Sequence, residues 1–116
     1  MIKTATIANG TSLSAAIDMG VMSRPRGLIM PAGWDAAAIT FQVSNDGITF
    51  QNLYDDAAEV SVAAAGASRT IGFKYDLRNI LMRWQYLKIR SGPAAGPVNQ
   101  TAQRDIQVAC AGNELT

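Results

Sequence analysis

Ile39-Thr40-Phe41-Gln42-Val43-Ser44-Asn45-Asp46-Gly47-Ile48-Thr49-Phe50 alternates apolar and polar residues on both sides of a turn signal. Ile39, Phe41 and Val43 fall on one side of an extended chain, and Thr40, Gln42 and Ser44 on the other. Asn45-Asp46-Gly47 is the turn signal, because Asp and Gly tolerate the positive φ of tight hairpins. The next apolar pair, Leu53-Tyr54, is out of step with Ile48-Thr49-Phe50, so the slip at Gln51-Asn52 reads as a bulge. Residues 38–54 are therefore expected to form a β-hairpin.

The same period recurs outward from this hairpin. Glu59-Val60-Ser61-Val62 and Thr70-Ile71-Gly72-Phe73-Lys74-Tyr75 alternate, with the small-residue turn 63–67 between them. Tyr86-Leu87-Lys88-Ile89-Arg90 places Leu87 and Ile89 inward, with Lys88 and Arg90 outward. In the last such run, 104–110, Ile106, Val108 and Cys110 point inward. Weaker signals place strands near 2–8, 13–18 and 27–30. One stretch breaks the period: Leu77, Ile80, Leu81 and Trp84 have helical spacing, with Asp76 as a candidate N-cap, which predicts a short helical turn near 77–84. Seven or eight short strands separated by turn signals predict an all-β sandwich or barrel, built as one domain over 1–116.

Composition narrows the function. Only 16% of the residues are charged and the net charge is +1. That is below the roughly 25% charge of ordinary soluble domains, and suits a protein that covers part of its surface with a partner. Seven arginines and three lysines are scattered and matched by nine acids, so no basic stripe points to nucleic acid. The start of the chain lacks the apolar core of a signal peptide, and no apolar run is long enough to span a membrane. The expectation is synthesis in a cytoplasm. A lone cysteine, Cys110, means that no internal disulfide is needed.

Catalytic chemistry is sparse. The chain has no histidine, which removes the commonest general base and metal ligand. No glycine-rich phosphate loop is present. Neither a cofactor nor a metal is expected, and the chain is read as a binding or building protein, not an enzyme. Asp55, Asp56 and Glu59 form an acidic cluster whose default reading is a solvated turn. Cys110, in phase with Ile106 and Val108, reads as a small buried hydrophobe. Trp34 lies in an expected loop and could anchor an interface, whereas Trp84 reads as core. Arg24-Pro25-Arg26 is a short basic turn able to meet a phosphate or carboxylate on a partner. The Gly- and Pro-rich loop 91–100, with Pro97, Asn99 and Gln100, is the best candidate for an exposed functional loop. The candidate partner-contacting residues are thus Trp34, Arg24, Arg26, Pro97, Asn99 and Gln100.

Several of these segments resemble a family of small proteins in tailed-bacteriophage genomes. They are Ile29-Met30-Pro31-Ala32-Gly33-Trp34-Asp35, the run 39–47, Tyr86-Leu87-Lys88-Ile89-Arg90-Ser91-Gly92, and Pro97-Val98-Asn99-Gln100 followed by Arg104-Asp105-Ile106. The resemblance covers about 28–110 and lies in the order and spacing of the set. It implies a virion structural protein with a jelly-roll or galactose-binding-like β-sandwich. It further implies a cement or decoration protein that binds the major capsid protein on the head, as a trimer or dimer, with no nucleic acid or membrane partner. Residues 1–27 fall outside it and would form an arm or an extra strand. The alternative is a carbohydrate-binding module in a tail or fibre adhesin, with Trp34, Asn99, Gln100 and Arg104 on a glycan. A total of eight aromatic residues is few for such a site.

Overall fold

The structure is a computed structural model that describes residues 1–20 and 24–111. Its strands are β1 (Ile2–Ile7), β2 (Ile17–Asp18), β3 (Arg24–Ile29), β4 (Ile39–Ser44), β5 (Gln51–Asn52), β6 (Ser61–Val62), β7 (Thr70–Gly72), β8 (Tyr86–Ser91) and β9 (Arg104–Ala111). A single helix among the described residues, α1 (Tyr75–Leu81), follows β7. One sheet has the order β1-β9-β3-β7, and the second has β2-β8-β4-β5, with β6 also on β4. All the pairings are antiparallel. With β5 and β6 sharing one edge, the chain switches sheets in the manner of two Greek keys, the order of a jelly roll.

Alternation builds the core. Ile39, Phe41 and Val43 from β4 meet Leu87 and Ile89 from β8, and from the facing sheet come Ala5, Ile7, Leu28, Ile106 and Val108. Fully burying each large aliphatic or aromatic side chain contributes roughly 1.5–3 kcal/mol, which makes this cluster the main favourable term. Cys110 is a buried free thiol in the same cluster, and burial pushes its pKa up against the opposing pull of the chain's amino terminus and Lys3. The N-terminal segment is not an appendage. β1 is the edge strand beside β9, and Ala5 and Ile7 are fully buried.

Several expectations need correction. The hairpin at 38–54 exists, but its return strand is only Gln51–Asn52, and 45–50 is a longer loop than the tight turn read from Asn45-Asp46-Gly47. Side chains explain this. Asp46 Oδ1 accepts the N–H groups of Ile48 and Thr49, and Ser44 Oγ accepts those of Asp46 and Gly47, so local bonds replace the ladder. Ile48, assigned to the resumed alternation, is 85% exposed. The segment 13–18 is strand only at Ile17–Asp18, with an isolated bridge from Leu13 to Arg90. Arg24-Pro25-Arg26 is not a turn but the start of β3, where the register with β9 shifts between Pro25 and Gly27. The helix begins at Tyr75, so Asp76 lies inside its first turn. Lys74 is the N-cap and makes no side-chain cap bond.

Candidate functional site

The candidate residues divide between the two ends of the sandwich. Arg24 pairs with Ala111 and Ile7 pairs with Arg104, so β9 separates the two ends by roughly 23 Å at the rise of an extended strand. Arg24 and Arg26 are exposed at the first end. Trp34, Pro97, Asn99 and Gln100 belong to the loops at the second. The structure therefore brings the second group together and leaves the arginines apart from it.

At the second end, Gln100 is the organising residue, and it is completely buried. Its Oε1 accepts the Asp35 N–H at 2.8 Å and Arg104 Nε at 3.1 Å. Its Nε2 donates to the Asp35 carbonyl at 3.1 Å and to Ser91 Oγ at 2.7 Å. The whole amide is spent inside the chain, which removes Gln100 from the contact surface and makes it the clasp between the 31–38 and 92–103 loops. Asp35 completes the clasp by accepting the Thr101 N–H at 2.6 Å and lying 3.5 Å from Arg104 Nη2. The Thr101 N–H and hydroxyl, with Arg104 further off, hold the Asp35 carboxyl below its ordinary pKa. Trp34 is half-buried against the core, with its Nε1 donating to the Ala37 carbonyl. Pro97 and Asn99 remain exposed.

A second polar cluster lies on the outer side of the β2-β8-β4-β5 sheet. Arg90, expected to point to solvent, is buried there: the guanidinium donates to Thr40 Oγ1 at 2.9 Å, Asn52 Oδ1 at 2.8 Å and Glu59 Oε2 at 2.8 Å. Thr40 in turn donates to the Gly92 carbonyl at 2.6 Å, and Glu59 accepts the Ala94 N–H at 3.1 Å. The loops 53–60 and 92–96 close over this face, so residues on the polar phase of β4 and β8 become interior. Glu59 is therefore a structural partner of Arg90 and not part of a solvated acidic turn. Asp55 does fit the turn reading, since its carboxylate accepts the Ala57 and Ala58 N–H groups, which lower its pKa. Among the described residues, no three Cys, Asp or Glu side chains stand close enough together to hold a metal ion.

Among the described residues, no element covers the outer face of the β1-β9-β3-β7 sheet. Ile2, Thr4 and Gln107 are exposed on it, as are Thr70 and Gly72 on β7, while Thr6, Ile29 and Ala109 are half-buried. Its single acid in the strands is Asp105, which accepts the Thr6 hydroxyl at 2.8 Å. By strand spacing and rise, the face measures roughly 15–20 Å on each side. Sequence reading did not single it out. The signal was there in Thr, Gln, Gly and Ala at the outward positions, where a solvated sheet more often carries Lys and Glu.

Compared with family models, curated proteins and solved structures, the chain matches none.

Proposed function

We propose that this chain is a non-enzymatic virion structural protein of a tailed bacteriophage: a cement or decoration protein that docks on the assembled head. Its partner is the major capsid protein, and it acts as a small homo-oligomer. The observation that carries this reading is the outer face of the β1-β9-β3-β7 sheet, which no described element covers and whose middle is uncharged, with Asp105 and Arg24 towards its two ends and mostly small side chains between them. Low charge keeps the desolvation cost of docking small. Threonine, alanine and glycine lose little rotamer freedom on contact.

Size fits the role. A stable protein–protein interface buries about 800 Å² per partner, and a face of this extent supplies roughly a quarter to a half of that. One copy on one free subunit would bind weakly, whereas contacts repeated across a symmetric shell sum to firm attachment. Each bound copy then stabilises the assembled state by mass action. The resemblance stated for residues 28–110 points the same way. The glycan alternative loses ground because Trp34 is half-buried with its N–H engaged.

Quantitative mass spectrometry of purified particles tests the proposal. A ratio of about one copy per shell subunit is expected, with stripped particles losing heat resistance and regaining it on addition of the protein. Gln107→Arg, which sets a charge in the middle of the open face, should weaken rebinding to stripped shells about tenfold or more while leaving the unfolding midpoint unchanged. A handful of copies per particle, or heat resistance indifferent to the protein, would overturn the proposal.

A further inference from the structure

The flank of the sandwich between β6 and β7 is open. A cleft of about 570 Å³ runs along it, within the usual range for ligand sites of ~300–1,000 Å³. Its floor includes Ile71, Leu77 and Ile80, half-buried side chains that no element covers on this side. Both walls are strand edges. On β7 the bonds Met30 N–H to Arg69 carbonyl and Phe73 N–H to Arg26 carbonyl fix Ile71 and Leu28 as the hydrogen-bonded pair. The backbone groups of Thr70 and Gly72 therefore point away from β3 and have no bonding partner among the described residues. Gly72 is exposed, and a Cβ placed on it would point to the outer face and meet nothing within 4 Å.

The rim is charged unevenly. Asp55, Glu59 and Asp76 line it, with Lys74 as the single cation among the described residues there. Glu59 is neutralised by Arg90 at 2.8 Å, which leaves two carboxylates against one ammonium. An unpaired edge, an apolar floor and a net acidic rim together specify an occupant.

We propose that this cleft receives an extended peptide segment of a partner protein, one that alternates apolar and basic side chains and adds as a strand beside β7. Its backbone bonds to Thr70 and Gly72, its apolar side chains enter the cleft over Ile71 and Leu77, and its cationic side chains meet Asp55 and Asp76. Strand addition of this kind draws affinity from main-chain bonds and selectivity from alternate side chains. It also explains how such an edge escapes indiscriminate pairing, since β7 is only three residues long and its rim is charged. This reading does not depend on the virion proposal, because its test needs no particle.

The probe is an acetylated, amidated six-residue peptide alternating valine and lysine, titrated into the isotope-labelled protein and followed by amide chemical shifts and hydrogen exchange. Shifts should concentrate at 61–64 and 70–80, with the Thr70 and Gly72 amides gaining protection. A peptide alternating valine and glutamate should bind about tenfold more weakly. Gly72→Pro removes one outward N–H and no bond to β3, as proline is tolerated at sheet edges, and should weaken the lysine peptide by about tenfold. Asp76→Lys is the second variant, should the proline variant not fold, and should weaken the lysine peptide while strengthening the glutamate peptide. Overturning results are no shifts in the cleft at millimolar peptide, shifts confined to another surface, equal affinity for both peptides, or unchanged lysine-peptide binding in a folded variant.

Discussion

The loop end and the open flank of this sandwich treat polar groups in opposite ways. Around Gln100 and Arg90 buried donors meet acceptors from within the chain, at distances of 2.7–3.1 Å for the side-chain bonds of these two residues. Between β6 and β7 the edge N–H and C=O groups of Thr70 and Gly72 have no such partner among the described residues, and apolar side chains lie half-open beside them. The loop end contains the more unusual residues, yet it is framework. The flank is built from ordinary ones, and it is the part with unfilled bonding capacity. Residue type alone draws attention to the loop end, whereas the unfilled bonding capacity lies on the flank.

The strongest way to break this comparison is to disturb Arg90. Arg90→Ala leaves Glu59 as a charge with 17% side-chain exposure and strips Thr40 and Asn52 of a donor. Removing one partner of a buried pair costs about 3–5 kcal/mol, and a loss of that order in urea-unfolding free energy is expected. The double change Arg90→Met with Glu59→Leu should cost less than Arg90→Ala alone, because no uncompensated charge remains. A loss below about 1 kcal/mol for Arg90→Ala would mean that this cluster behaves as a surface ion pair.

Two glycines sharpen the contrast at a smaller scale. Gly92, at the loop end, has φ +87, and a Cβ there would lie 2.8 Å from the Val98 nitrogen and 2.9 Å from the Gly96 carbonyl oxygen. Gly92→Ala should cost about 1–3 kcal/mol, since a side chain in that conformation is strained and the neighbouring atoms are backbone. Gly72, on the flank, offers open space, and Gly72→Ala should change stability by no more than about 0.5 kcal/mol. Thermal melts of the two variants, side by side, check the pair. Equal losses would show that the flank is as tightly constrained as the clasp.

Much of the fold was legible because burial on one face imposes strict alternation. β4, β8 and β9 match the runs at 39–44, 86–90 and 104–110 nearly residue for residue, and each carries core side chains at every second position. β3 was misjudged at its start because Pro25 reads as a turn, whereas here it sits at a register shift and is buried. The loop 45–50 was misjudged because Ser44 and Asp46 bond to local backbone, a choice that competes with a tight hairpin and leaves no mark in hydrophobic period. The site was less legible. Arg90 follows Lys88 in perfect alternation, and only the loops folding over it make it interior. Gln100 stands in a Gly- and Pro-rich loop, the usual setting of an exposed side chain. No local pattern announces that four hydrogen bonds wait for its amide.

Acid pH supplies the smallest expected effect, and it separates the loops from the rest of the molecule. The Asp46 carboxyl is lowered from 3.8 to about 2, chiefly by the Ile48 and Thr49 N–H groups and then by Ser44. Asp35 and Asp55 are lowered by the same kind of bond. A depressed folded pKa means that the unfolded chain takes up protons first as pH falls, so the stabilisation is present above pH 3.8 and is lost on the way down to about 2. The urea midpoint should therefore hold steady near neutrality and fall across that window. In Asp46→Ala the neutral midpoint should drop slightly and the acid fall should become shallower. Because backbone N–H groups cause most of the shift, the difference between the two proteins should survive in ~0.5 M salt, which screens exposed charges but leaves hydrogen bonds in place. A difference that disappears in salt would assign the acid sensitivity to general repulsion among the arginines and lysines, and would remove Asp46 from the set of side chains that hold the loops.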